Sequence, residues 1–138
     1  LILHFEIPGI PVSGNHRLTR TDHGVYVVKR AREFAHRVQS IAKAAAVLAS
    51  WRMPDYVAVD LEIYNVNMDR DNVCKALMDP LQGIVFADDR RILDGEISRY
   101  KDGAGPRIIV AVREVDGKFY GFGSEAKAGS GAFCSRAI

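Results

Sequence analysis

Residues 56–64 read Tyr56-Val57-Ala58-Val59-Asp60-Leu61-Glu62-Ile63-Tyr64. In an extended chain Val57, Val59, Leu61 and Ile63 point one way, and Asp60 and Glu62 the other. A period of two marks a half-buried strand in an antiparallel or mixed sheet. On both sides the period becomes helical. Upstream, Phe34, Val38, Ile41, Ala45 and Leu48 recur at spacings of three and four, which predicts a helix over 29–50. Downstream, Val73, Ala76, Leu77 and Leu81 share one face of a second helix over 72–82. Asp71 is its candidate N-cap, and Pro80 should end or kink it.

Further out, Leu1–Ile7 reads as a strand stopped by Pro8-Gly9, and Val25–Val28 as a brief one. Ile92–Tyr100 and Arg107–Val115 read as two more strands. The turn-rich Lys101–Pro106 between them suits a hairpin. The order strand, helix, strand, helix, strand, strand predicts an α+β domain, a small mixed or antiparallel sheet with two main helices. No glycine-rich phosphate or dinucleotide motif is present. From Gly121, Gly, Ala and Ser make up eleven of the last eighteen residues. The expected organisation is therefore a domain over 1–117 and a disordered tail over 118–138.

At 138 residues, 48% hydrophobic and 26% charged, the chain has the size and composition of one globular domain. No apolar run is long enough for a transmembrane helix, and Leu1-Ile2-Leu3 lacks a signal-peptide pattern. The missing initiator Met fits a fragment. Cys74 and Cys134 form no CxxC motif. One disulfide between them is an option, and a reduced cytosolic protein is the expectation. His4, His16, His23 and His36 show no metal-ligand spacing.

The net charge of +2 hides a division. Residues 1–52 carry eight Lys/Arg against three acids, and residues 53–138 carry eleven against fourteen. On the first helix, Lys29, Arg30, Arg32, Arg37 and Lys43 face a single acid, Glu33. A basic half suits a polyanion and an acidic half suits cations, although solvated faces would read the same way.

The densest chemical signal is Asp69-Arg70-Asp71-Asn72, where the alternating strand gives way to the second helix. In an extended segment Asp69 and Asp71 project to the same side, and two carboxylates held close call for a cation between them. Hard oxygen ligands suit Mg²⁺, and Mn²⁺ can substitute. A calcium EF-hand fails, because its Gly and Glu positions are Cys74 and Pro80. Asp88-Asp89 precedes the strand at Ile92. If the second helix returns the chain to the same end of the sheet, three carboxylates from the two loops make a phosphodiester-cleaving metal site with open metal positions. Lys75, one turn after Asp71, can pair with it or neutralise charge on a phosphate. Helix capping by Asp71 and turn formation by Asp88-Asp89 would explain the same residues without a metal.

The run Asp69-Arg70-Asp71-Asn72-Val73-Cys74-Lys75-Ala76-Leu77-Met78-Asp79, followed by Gly83-Ile84-Val85-Phe86-Ala87-Asp88-Asp89-Arg90-Arg91-Ile92, resembles the RusA family of phage- and prophage-associated Holliday junction resolvases. Pro11-Val12-Ser13-Gly14-Asn15 resembles that family's opening, and the likeness spans roughly residues 3–115. The resemblance implies a RusA-like fold and Asp69, Asp71 and Asp89 as catalytic, metal-binding carboxylates. It implies Asp88 as a supporting acid near the metal and Lys75 as the catalytic-site lysine. It also implies a homodimer that makes paired nicks in four-way DNA with Mg²⁺ or Mn²⁺, in DNA recombination and repair. Arg70, Pro80 and Arg91 depart from the family pattern without removing a carboxylate.

The sequence expectation is thus a crossover junction endodeoxyribonuclease in a bacterial or phage-infected cytoplasm, with no membrane. Asn15, Arg17, Arg20, Lys29, Arg30, Arg32 and Arg37 would track DNA phosphates. The alternatives are a non-catalytic junction-binding protein and a metal-dependent phosphatase for small substrates, against which an extended basic track argues.

Overall fold

A computed structural model describes residues 1–12, 18–21, 24–27 and 29–122, with the backbone alone for 18–21 and 24–27. The elements are β1 (Ile2–Pro8), β2 (Leu18–Thr21), β3 (Gly24–Val27), α1 (Lys29–Leu48), β4 (Val57–Tyr64), α2 (Arg70–Leu81), β5 (Ile92–Asp94), β6 (Ile97–Tyr100) and β7 (Arg107–Glu114). Short 3₁₀ turns cover Asp89–Arg91 and Gly117–Tyr120. The fold is α+β as expected, a mixed five-stranded sheet with two main helices.

The alternating segment is the spine of the sheet. β4 pairs antiparallel with β7 on one side, and parallel with β5 and β6 on the other. β1 then pairs antiparallel with β7. Val57, Val59, Leu61 and Ile63 are buried as the alternation requires, beside Leu3, Phe5 and Ile7 of β1 and Ile108, Val110 and Val112 of β7. Ala31, Phe34, Val38 and Ala42 of α1 are buried, as are Val73, Cys74, Leu77, Met78 and Leu81 of α2. A separate antiparallel pair, β2 with β3, lies between β1 and α1 in the chain.

Several expectations change. The strand expected over 92–100 is two strands, interrupted at Gly95-Glu96. There the Glu96 N–H donates to Asp60 Oδ1 (2.9 Å), and the Leu61 N–H donates to the Glu96 carbonyl (2.8 Å). Asp60 on the sheet's open face thus replaces the ladder partner that the break removes. β6 and β7 form no hairpin either; β4 lies between them. Turn chemistry in Lys101–Pro106 permits a reversal, but it does not choose the strand's neighbour. The helical stripe stops short of Leu48, which is 88% exposed at the end of α1. The cap of α2 is Asp69, and Asp71 sits in the first turn. Pro80 falls in the last turn, where it removes the helical bond to the Ala76 carbonyl, and the helix ends one residue later, as a proline at that place dictates.

The chain beyond the expected boundary at 117 still packs on the domain. Phe122 stacks on Tyr56 with ring centres 5.7 Å apart, and the Tyr120 hydroxyl donates to Asp94 Oδ2 (2.7 Å). Residues 123–138, with Cys134, lie outside the described residues. Among the described residues no helix is long and apolar enough to cross a membrane.

Candidate active site

The loop that leaves β4 and the loop that enters β5 position the site residues. At its C-terminal end Asn65 takes a left-handed backbone (φ 59°), which Asn tolerates better than most residues. Its Nδ2 donates to Asp102 Oδ1 (2.7 Å) and the Ala104 carbonyl (2.9 Å), while its Oδ1 accepts the Asp102 N–H (2.9 Å). Asn65 thereby joins the end of β4 to the β6–β7 crossover. The Arg107 guanidinium grips the same Asp102 (2.7 Å) and lies 4.0 Å over the ring of Tyr64. The hydrogen bonds from Arg107, and then those from Asn65, hold the Asp102 carboxyl well below the usual range.

The loop from Val66 to Asp69 is held by Arg99 of β6. Its guanidinium donates to the Val66 carbonyl (3.3 Å) and to the Met68 carbonyl. Asp69 comes next as the N-cap of α2, with its carboxylate in no capping hydrogen bond. Asp71 is exposed in the first turn, and Lys75 is exposed one turn further. A cleft of about 550 Å³ opens here, lined by Asn67, Met68, Asp69, Arg70, Ile97 and Arg99. An acid at a helix N-terminus sits in the favourable part of the helix dipole. Two acids there, open to solvent, leave oxygen lone pairs for a ligand.

Asp88 and Asp89 stand elsewhere. They precede β5, whose Ile92 pairs with Val57 at the start of β4. Asp69 and Asp71 come after Tyr64 at its end. Seven residue steps at about 3.3 Å put about 23 Å between these ends. The expectation that α2 returns the Asp88-Asp89 loop to the Asp69-Asp71 end is therefore corrected. A helix joining two parallel strands carries the chain back to the opposite end of the sheet. Among the described residues no three His, Cys, Asp or Glu side chains gather to hold a metal.

Asp88 is also engaged where it stands. It caps the 3₁₀ turn by accepting the Arg90 N–H (2.9 Å) and pairs with the Arg90 guanidinium (3.3 Å). That side-chain hydrogen bond is the main cause of its lowered pKa. Asp89 is exposed beside it, and the Arg91 guanidinium lies 5.5 Å from the centre of the Tyr56 ring.

Of the expected phosphate-tracking residues, Lys29, Arg30 and Arg32 are exposed on α1, with Lys29 3.8 Å from Glu33. Arg37 donates to the Pro8 carbonyl (3.0 Å), so it also fixes the end of β1. Arg20 lies on β2. Asn15 and Arg17 fall outside the described residues. Sequence reasoning missed Asn65 and Arg99. An Asn directly after an alternating strand was a signal for a left-handed turn. Arg99 had none, because its partners are backbone carbonyls more than thirty residues away.

An acid-lined helix start at the end of a mixed sheet, with a lysine one turn on, defines a candidate phosphate-handling enzyme. The family model for endodeoxyribonuclease RusA matches residues 8–113, and the chain belongs to that family. Membership makes it a nuclease of the endodeoxyribonuclease type. No curated protein matches the chain.

Proposed function

We propose that this protein is a Mg²⁺-dependent endonuclease that resolves four-way DNA junctions by paired nicks, working as a homodimer in recombination and repair within a bacterial or phage-infected cell. The observation that carries the reading is the RusA match across 8–113, which includes every carboxylate in question. The donor chemistry at the start of α2 fits a hard divalent cation: Asp69 and Asp71 offer exposed carboxylate oxygens, and Asp69 makes no capping bond. Bound there, Mg²⁺ or Mn²⁺ supplies Lewis acidity at the phosphate and a more acidic water. Lys75 neutralises charge that builds on the phosphate oxygens. Hydrolysis adds water across the P–O3′ bond, leaving a 3′-hydroxyl and a 5′-phosphate.

One chain offers two of the three carboxylates at that end, so dimerisation has a chemical purpose. In a two-fold dimer, contact of the Asp69-Asp71 end with the partner's opposite end is automatically reciprocated. Two equal sites then form, each with Asp69 and Asp71 from one copy and Asp88 and Asp89 from the other. Two equivalent sites suit two symmetric nicks.

A labelled four-way junction with Mg²⁺ tests the activity. Wild type yields paired nicks, and Asp71→Asn does not. A wild type that binds the junction without cutting it, and takes up no Mn²⁺ by calorimetry, is a DNA-binding protein instead. Rapid turnover of a simple phosphoester without junction affinity would mark a phosphatase.

A further inference from the structure

Tyr100 is the last residue of β6, directly opposite Tyr64 on β4, and both lie on the sheet face away from the helices. Their rings stack with centres 4.9 Å apart and planes 22° apart. The Arg107 guanidinium lies over the Tyr64 ring, and Arg107 is itself fixed by Asp102 and, at 3.5 Å, by Glu6 of β1. Tyr100 thus ends a rigid cation–ring–ring stack. Among the described strands β6 pairs with β4 alone, which makes it an edge strand, and Tyr100 is 46% exposed. A tyrosine fixed in place on an edge has a ring face open to a ligand.

Its surroundings define that ligand. A second cleft, of about 600 Å³, is lined by Asn65, Val66, Asn67, Arg99, Tyr100 and Lys101. It shares Asn67 and Arg99 with the cleft that holds Asp69, so the two adjoin. No carboxylate lines the second cleft, whereas Arg99 and Lys101 bring positive charge. A flat π surface beside an exposed ammonium, in a groove continuing from the proposed phosphate site, matches one nucleotide of a DNA strand.

We propose that Tyr100 and Lys101 form a flanking-nucleotide subsite: Tyr100 stacks on an unstacked base near the branch point, and Lys101 pairs with its phosphate. The subsite rests on the junction-nuclease reading. Because Tyr100 is already stacked on Tyr64, little side-chain freedom is lost when a base arrives. Unstacked bases are present where strands exchange and absent from a continuous duplex, so the subsite favours branched over linear DNA.

The test uses full-length protein in EDTA and junctions carrying 2-aminopurine at successive positions around the crossover. Fluorescence anisotropy gives affinity, and 2-aminopurine intensity reports stacking. Wild type and Tyr100→Phe quench the probe at one or more positions. Tyr100→Ala loses that quenching and binds the junction about five- to a hundredfold more weakly, with linear duplex hardly affected. Lys101→Ala, an exposed change that the fold tolerates, lowers the salt dependence of junction binding by about one ion. If Tyr100→Ala and Lys101→Ala both bind and quench as wild type does, the subsite is wrong, while junction binding and cutting by wild type leave the functional reading standing. If wild type binds no junction, both fall together.

Discussion

The two ends of β4 use the same residue types to opposite effect. At the C-terminal end, Asp69 and Asp71 open an α-helix whose N-terminal N–H groups Asp69 leaves unbonded by its side chain. Of the arginines there, Arg99 grips backbone carbonyls of the preceding loop and Arg107 pairs with Asp102. At the N-terminal end, Asp88 is committed twice to Arg90, and the closing segment 117–122 packs beside it through Tyr56, Asp94 and Gly117. A Cβ at Gly117 would come within 2.7 Å of the Tyr56 ring, so a larger residue there has to displace that ring. At one end Asp69 and Asp71 stay open while Asp102 is paired; at the other Asp88 is paired and Asp89 stays exposed.

Activity gives the most severe test of this contrast. Asp69→Asn, Asp71→Asn and Asp89→Asn should each reduce junction cutting to background. Mixing Asp71→Asn with Asp89→Asn chains, refolded together, should restore nicking at one of the two sites, because one composite site keeps all its acids. Gel analysis of singly and doubly nicked products reads this directly. Mixed chains that remain inactive while each variant still dimerises would show that the two ends do not act together.

The next effect is on stability. Phe86, fully buried, anchors the turn leading to Asp88-Asp89, and Phe86→Ala should lose about 3–5 kcal/mol in urea unfolding. Arg99→Ala at the opposite end should cost less, about 1–2 kcal/mol, since the side chain is exposed while its two carbonyl partners are held by a charged donor. It should also slow cutting by releasing the loop before Asp69. Arg99→Lys should restore little, because an ammonium lacks the planar fork that spans both carbonyls.

The smallest effect is in acid. Asp102 has a depressed pKa in the fold, so its contribution is complete above the unfolded carboxylate value of about 3.9. It is lost as the pH falls below that value toward the lower folded one. Asp102→Asn should therefore flatten the fall of thermal stability below about pH 4, with the slope near neutrality unchanged. A fall as steep as that of wild type would show that the network around Asn65 does not carry the acid sensitivity.

Much of this was legible along the chain. The alternation of 57–63 specified both a strand and its buried face, and the spacing of Val73, Leu77 and Leu81 specified the helix that begins at the acids. The basic face of α1 was legible too, with Lys29, Arg30 and Arg32 exposed. The expected hairpin failed because Gly103, Gly105 and Pro106 encode the ability to turn, while the neighbour of β6 is decided by burial of Leu61 and Ile63 in the middle of the sheet. Arg99 and Tyr100 fall at the end of an expected strand with no further signal, and only their register opposite Ile63 and Tyr64 gives them their partners.

Local periods, the acids at the start of α2 and the family motif were all readable from the chain alone, because each depends on residues within a few positions of one another. Strand direction was not. The parallel pairing of β4 with β5 and β6 places Asp69-Asp71 and Asp88-Asp89 at opposite ends of one strand. That pairing comes from long-range burial and hydrogen bonding, which no local pattern encodes.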